Sequence, residues 1–123
     1  FDVDDFKQVN DRYGHVKGDI CLAEIAACIK RAYARHGYCY RTGGDEFCVL
    51  LRDGDREHAC ARDFVRRLSE RRKELDFLPT VSFGSAEISN ENVVTVKDRA
   101  DHNMYRYKKE RKAHRMSGDA GEE

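Results

Sequence analysis

Two apolar runs separated by four turn-forming residues constrain this chain more than any other feature. Residues 38–42 and 47–51 flank Gly43-Gly44-Asp45-Glu46. Short runs of strand-forming residues on either side of a glycine turn fold back as a β-hairpin, so this stretch is committed to an antiparallel pair. The second run, Phe47-Cys48-Val49-Leu50-Leu51, is apolar at every position. That pattern predicts a strand in mid-sheet with both faces covered, and helices must supply the cover.

The flanking sequence contains them. Leu22, Ile25, Ala26, Ile29, Ala32 and Tyr33 recur at helical spacing and predict a helix over residues 19–35, with Gly37 placed to stop it. A shorter helix is expected over 5–13, broken by Gly14. Before it, Phe1-Asp2-Val3-Asp4 reads as the end of a strand whose earlier residues are absent. After the hairpin, Arg52-Asp53-Gly54-Asp55 makes a turn. A helix then runs to about Leu75, with Ala61, Phe64, Val65, Leu68 and Leu75 facing inward and a row of arginines facing out. A strand is expected over 80–88, weakened at Gly84, and a last helix over 96–112, burying Val96, Ala100, Met104 and Tyr107. Residues 113–123 show no apolar pattern and are expected to be a disordered tail.

A chain of 123 residues suits one core, so the expected organisation is a single domain over 1–112, truncated at its N-terminus, followed by the tail. Helices alternating with strands, plus one hairpin, predict an α/β fold, more narrowly α+β. A central, mostly antiparallel sheet would be covered by helices.

Charge narrows the classes of function. Twenty-three basic residues balance 23 acidic ones, against the basic excess of a nucleic-acid-coating protein, so no nucleic-acid partner is expected. With 37% charged residues and 40% apolar, the chain reads as soluble. It has no apolar window near the roughly 20 residues that span a bilayer and no signal-peptide pattern, so no membrane segment is expected in it. Its five cysteines include no close Cys-x-x-Cys pair. They read as reduced, small apolar residues, with zinc binding as the rival reading.

Two acidic groups sit where strands end. Asp2 and Asp4 are two residues apart on a strand and would leave the same face, while Asp45 and Glu46 occupy the hairpin turn. If those strands are neighbours, four carboxylates converge on one sheet edge. Such a cluster repels itself unless hard cations occupy it, and oxygen ligands suit magnesium or manganese. The alternative is a set of solvated loop acids. The run Asp4-Asp5-Phe6-Lys7-Gln8-Val9-Asn10-Asp11 opens a helix directly after a strand, where free amides and the Lys7 cation can meet phosphate. Lys108 and Lys112 share one helix face, and Asp19 stands where a helix N-cap is expected.

The stretch from Asp2-Val3-Asp4-Asp5-Phe6-Lys7 through Asn10-Asp11-Arg12-Tyr13-Gly14-His15 to Gly18-Asp19 resembles the opening motif of GGDEF-domain diguanylate cyclases. Arg41-Thr42-Gly43-Gly44-Asp45-Glu46-Phe47 matches the motif that names that family. Val81-Ser82-Phe83-Gly84 and Ala100-Asp101-His102-Asn103-Met104-Tyr105, with Lys108 after it, are similar to the family's later blocks. The resemblance runs in order from residue 1 to about 112.

The resemblance implies a nucleotidyl-cyclase or polymerase-palm-like fold with the Gly-Gly-Asp-Glu turn on its hairpin. It implies a nucleotidyltransferase, a diguanylate cyclase that condenses two GTP into cyclic di-GMP and two pyrophosphates by two-metal phosphoryl transfer in bacterial signalling. By the same resemblance, Asp2, Asp45 and the carbonyl of Val3 hold two magnesium (or manganese) ions, with Glu46 beside them. Asp45, Glu46 and Lys7 are the expected catalytic residues. Asn10 and Asp19 read guanine. Lys7, Lys108 and Lys112, or Arg111 in place of the last, contact the triphosphate together with the Phe6 amide. Gly43 and Gly44 let the nucleotide approach, or are ordinary turn residues.

One copy of the family's domain holds one GTP, so a second copy is an implied partner, along with an N-terminal sensory or regulatory domain. The implied location is cytoplasmic, with the domain free to be part of a larger membrane-bound sensor. A product-binding Arg-x-x-Asp common in the family is replaced here by Ala34-Arg35-His36-Gly37. The alternative reading is a catalytically inactive module of the same family that binds GTP or a partner protein as a regulatory domain.

Overall fold

The computed structural model describes residues 1–88 and 93–121, with side chains for 1–88 and 94–110. In chain order the elements are β1 (Asp2–Val3), α1 (Phe6–Tyr13), α2 (His15–Tyr33), β2 (Gly37–Arg41) and β3 (Phe47–Leu51). A single 3-10 turn (Gly54–Arg56), α3 (Glu57–Glu74), β4 (Val81–Ser82) and α4 (Val93–Gly121) follow. The architecture is α+β, with small antiparallel sheets and four helices among the described residues. Contacts divide the chain into two compact units: Asp2–Val81, and Phe1 together with the chain from Ser82 onward.

In the first unit the hairpin forms as the turn residues predict. β2 and β3 pair antiparallel, from Gly37 opposite Leu51 to Arg41 opposite Phe47. Helix α2 is the hub, touching α1, α3, β2 and β3. It buries Cys21, Leu22, Ile25, Cys28, Ile29, Ala32 and Tyr33, which recur at helical spacing along one face as the sequence predicts. Helix α3 answers with Cys60, Phe64 and Leu68, and Val3, Val9, Phe47, Leu78 and Val81 complete the core. Arg71 of α3 closes on Glu24 of α2 at 2.6 Å, a polar clasp at the edge of that helix pair. Cys21, Cys28 and Cys60 are free and buried, and burial pushes their thiols up from the usual range.

Four expectations from the sequence are corrected here. Helix α2 begins at His15 rather than at 19, because Gly14 adopts a φ of 90° and turns the chain from α1 directly into it. Gly37 does not stop a helix. Helix α2 ends at Tyr33, and Gly37 opens β2, where a Cβ would overlap the carbonyl oxygen of Leu50 across the hairpin. Nor does β3 lie in mid-sheet. It forms a two-stranded sheet with β2, and Tyr38, Tyr40 and Leu50 remain exposed. Its run of apolar residues reflects one face packed on α2 and one left open. Val65 points outward, one position round α3 from the buried Phe64.

In the second unit, Phe83 lies between two rings, with centroids 5.2 Å from Phe1 and 5.9 Å from Tyr107. Strand β4 is two residues long instead of the nine expected over 80–88. Gly84 sits against the α4 backbone at Ala100 and Met104. The side chains of Asn103 and Arg99 then take the carbonyls of Ser85 and Glu87 at 2.8 and 2.6 Å, in place of ladder partners. The α4 backbone runs from Val93 to Gly121.

The Gly37 contact is directly testable. Gly37→Ala should destabilise the protein by about 1–3 kcal/mol, the usual cost of forcing atoms into a packed site. Urea denaturation measures it, and an unchanged midpoint would mean that the hairpin shifts freely to admit the methyl group.

Candidate active site

The site is built where β1 meets the hairpin turn. Asp2 and Glu46 form an antiparallel bridge, and the amide of Val3 donates to the carbonyl of Asp45 at 3.1 Å. Two acidic segments far apart in sequence are thereby fixed side by side through their main chains. Asp2 and Asp45 are half-buried and Glu46 is exposed. The backbone thus brings Asp2, Val3, Asp45 and Glu46 to one place. Among the described residues, however, no three acidic, histidine or cysteine side chains converge on a common point.

Asp4 leaves the expected group of four carboxylates. Strand β1 ends at Val3, so side-chain alternation does not carry through to Asp4. Its carboxylate is buried and accepts the Thr80 hydroxyl at 2.7 Å, while its amide donates to the Thr80 carbonyl at 3.0 Å. It therefore ties this end of the chain to the segment that leads into β4. Asp5 follows with a φ of 53°, a left-handed position that aspartate tolerates better than most residues, and α1 starts there. Phe6 and Lys7 are its first residues, whose amides a helix leaves without internal partners. Lys7 is exposed.

The turn itself is pinned from two sides. Thr42 and Gly43 donate their amides to the Glu46 carbonyl at 3.0 and 3.4 Å. Arg41 reaches over the loop and donates to the carbonyls of Gly43 and Gly44 at 3.1 and 2.7 Å. Neither glycine is among the described residues with positive φ, and a Cβ on Gly44 would meet nothing within 4 Å. The protein's own backbone does not demand glycine at that position, so the open space above it is available to a ligand.

Beside the turn, Asp19, Leu22, Ala23, Ala26, Arg41 and Phe47 line a concavity of about 420 Å³ between α2 and the hairpin. Asp19 is exposed and lies within α2, not at its start, so the N-cap reading does not hold. Asn10 sits near the end of α1, with its side chain against Gly18 of α2. Lys108 belongs to α4 in the other unit. The side chains of Lys112 and its alternative Arg111 lie outside the described residues. Sequence reasoning missed the clasp made by Arg41. Its signal was a long cationic side chain on the last strand residue before a turn rich in free carbonyls.

The chain matches the family described as Diguanylate cyclase, GGDEF domain, over residues 1–114. It is 32% identical to Diguanylate cyclase A of Treponema denticola over 114 residues, covering 87% of this chain and 31% of that protein. It is 34% identical to Diguanylate cyclase DgcM of Escherichia coli over 110 residues, covering 87% of this chain and 27% of that one. The chain thus spans about a third or less of these relatives. Among solved structures, it resembles the active GGEEF domain of a Vibrio cholerae diguanylate cyclase with a TM-score of 0.75 and 28% identity, over 89% of this chain and 73% of that one. The GGDEF domain of DgcB from Caulobacter crescentus, solved with c-di-GMP, gives a TM-score of 0.75 and 29% identity over 88% and 68%.

Removing the Arg41 clasp should loosen the turn without unfolding the protein. In Arg41→Ala, the amides of Val3 and Thr42, both bonded to carbonyls of the turn, should exchange with solvent roughly fivefold faster, the effect of weakening one hydrogen bond. Hydrogen exchange read by NMR tests this. Unchanged rates at both amides would show that the main-chain bonds hold the turn alone.

Proposed function

Because the chain belongs to the GGDEF family of diguanylate cyclase domains, we propose that it is itself a working cyclase, condensing two GTP molecules into cyclic di-GMP. The observation that carries this reading is the main-chain pairing of Asp2 with Glu46 and of Val3 with Asp45. It holds the acidic residues of two distant segments together at an edge with an open glycine turn.

The donor set fits a hard divalent cation: carboxylates of Asp2, Asp45 and Glu46, and the carbonyl of Val3, are all oxygen ligands suited to magnesium or manganese. When bound, such ions would acidify the attacking 3′-hydroxyl and neutralise charge on the phosphate being transferred. Asp45, half-buried at the turn, is the candidate to take up the proton of that hydroxyl, directly or through a bound ion. Lys7 and the amides of Phe6 and Lys7 at the head of α1 hold the triphosphate and offset its charge as pyrophosphate departs. Gly43 and Gly44 let the nucleotide lie against the turn.

Asp19 faces the concavity beside α2, where a carboxylate can accept from guanine N1–H and the exocyclic amine. Adenine offers no such donor pair, and buried polar groups left unpaired reject the wrong base. Asn10 completes the base contact, and the family motif makes Lys108, with Lys112 or Arg111, the further candidates for the phosphates. One site of this kind holds one GTP, so product requires a second copy presented face to face. A cytoplasmic setting, where GTP is available, agrees with this chemistry. Among the described residues no helix is long and apolar enough to cross a membrane. The inactive regulatory reading is disfavoured by the presence of every acid the metal would need.

Two variants test the proposal. Asp45→Ala should abolish cyclic di-GMP production by a dimerised form supplied with GTP and magnesium, while its thermal midpoint stays near that of the parent. Appreciable product would remove Asp45 from this role. Asp19→Ser should cut the preference for GTP over ATP by about ten- to 150-fold, since a lost partner to a charged group is worth roughly 1.5–3 kcal/mol. Competition binding that leaves selectivity unchanged would place base recognition elsewhere.

A further inference from the structure

Gly18 is an unexpected residue at the end of the first turn of α2. Glycine inside a helix is costly, because it surrenders more backbone freedom than any other residue on folding. Its conformation here is ordinary helix, with no positive φ to justify it. Packing supplies the reason. A Cβ built on Gly18 would overlap the Oδ1 atom of Asn10 and lie 3.1 Å from its Cγ, with Phe6 Cζ at an ordinary 3.5 Å. The Asn10 carboxamide therefore occupies the volume that any other residue at position 18 would fill. Gly18 is buried and directly precedes Asp19, which lines the concavity.

We propose that Gly18 is a positioning residue for base recognition: its missing side chain forms a notch that holds the Asn10 carboxamide beside Asp19 in a single orientation. This rests on the reading of Asn10 and Asp19 as the guanine-reading pair. A carboxamide has a donor end and an acceptor end, so rotating it exchanges one for the other at the base. The notch admits the tip of the carboxamide where a Cβ would exclude it, so the side chain is already seated against α2 and less rotamer entropy is lost when the nucleotide arrives.

The colliding atom is the tip of a short side chain, not backbone. A methyl group at position 18 can therefore be accommodated by turning Asn10 away, leaving the helix in place. The same change also raises helix propensity. Stability and recognition should thus separate: Gly18→Ala keeps the fold and loses the aligned amide.

The test is a double-mutant cycle on the full chain, measuring GTP binding by calorimetry with magnesium, alongside thermal denaturation. Gly18→Ala should weaken GTP about tenfold, the upper range for one neutral hydrogen bond, with a thermal midpoint equal to or above the parent's. In an Asn10→Ala background the same change should weaken GTP no further, since there is no amide left to displace. Parent-like affinity in Gly18→Ala overturns the inference. So does an equal loss in the Asn10→Ala background, which would mean that the methyl group disturbs the helix or meets the nucleotide itself. If the parent chain binds no GTP, the functional reading fails and this inference falls with it, an outcome distinct from the other two.

Discussion

Everything proposed for this protein depends on a short piece of main-chain pairing at the end of β1. Strand β1 is only two residues long, yet the Val3 amide and the bridge between Asp2 and Glu46 join it to the hairpin turn. Side-chain attraction could not do this, because the residues concerned are acidic and repel one another. Backbone groups carry no net charge and must find partners when withdrawn from water. Main-chain hydrogen bonds therefore set the two acidic segments side by side, and the proposed metal site rests on that backbone pairing.

The rest of the first unit supports that junction from behind. Val3 is buried in the core, and Asp4 is tied to Thr80 by both its amide and its carboxylate. The hairpin rests on α2, which also carries Asp19 and touches α1. The candidates carried by α1, α2 and the hairpin thus share one helix as their common support. Arg41 then fastens the loop from its own strand.

Much of this was legible in the sequence, and the exceptions have physical reasons. The hairpin was clear because its turn residues are local and its register follows from turn length. The buried positions of α2 showed through their spacing. Its starting point did not, since Gly14 could equally have marked a loop as the sharp joint it makes. The role of Gly37 was misread because glycine after a helix has two uses, and only the position of the Leu50 carbonyl separates them. Asp4 was assigned to the acid group by strand alternation, but alternation holds only while the strand lasts. The family motif named the candidate site residues, whereas the packing contacts of Arg41 and Gly18 went unread. Both act on a neighbour through geometry and offer no reactive group to notice.

The placement of the candidate site also bears on how such a domain can change over generations. Asp19, Glu46 and Lys7 are exposed and Asp45 is only half-buried, while the core is made of other residues, chiefly Ile25, Ile29, Phe64 and Leu78. Loss of an acid at the turn would remove the chemistry proposed above and leave the hydrophobic interior untouched. Enlarging Ala23, one of the small residues lining the concavity, would narrow the cavity at little expense to folding. A lineage can therefore discard catalysis in one or two steps and retain an intact scaffold free to acquire a different task. The backbone that positions those residues would stay in place, because it is held by the core and not by them.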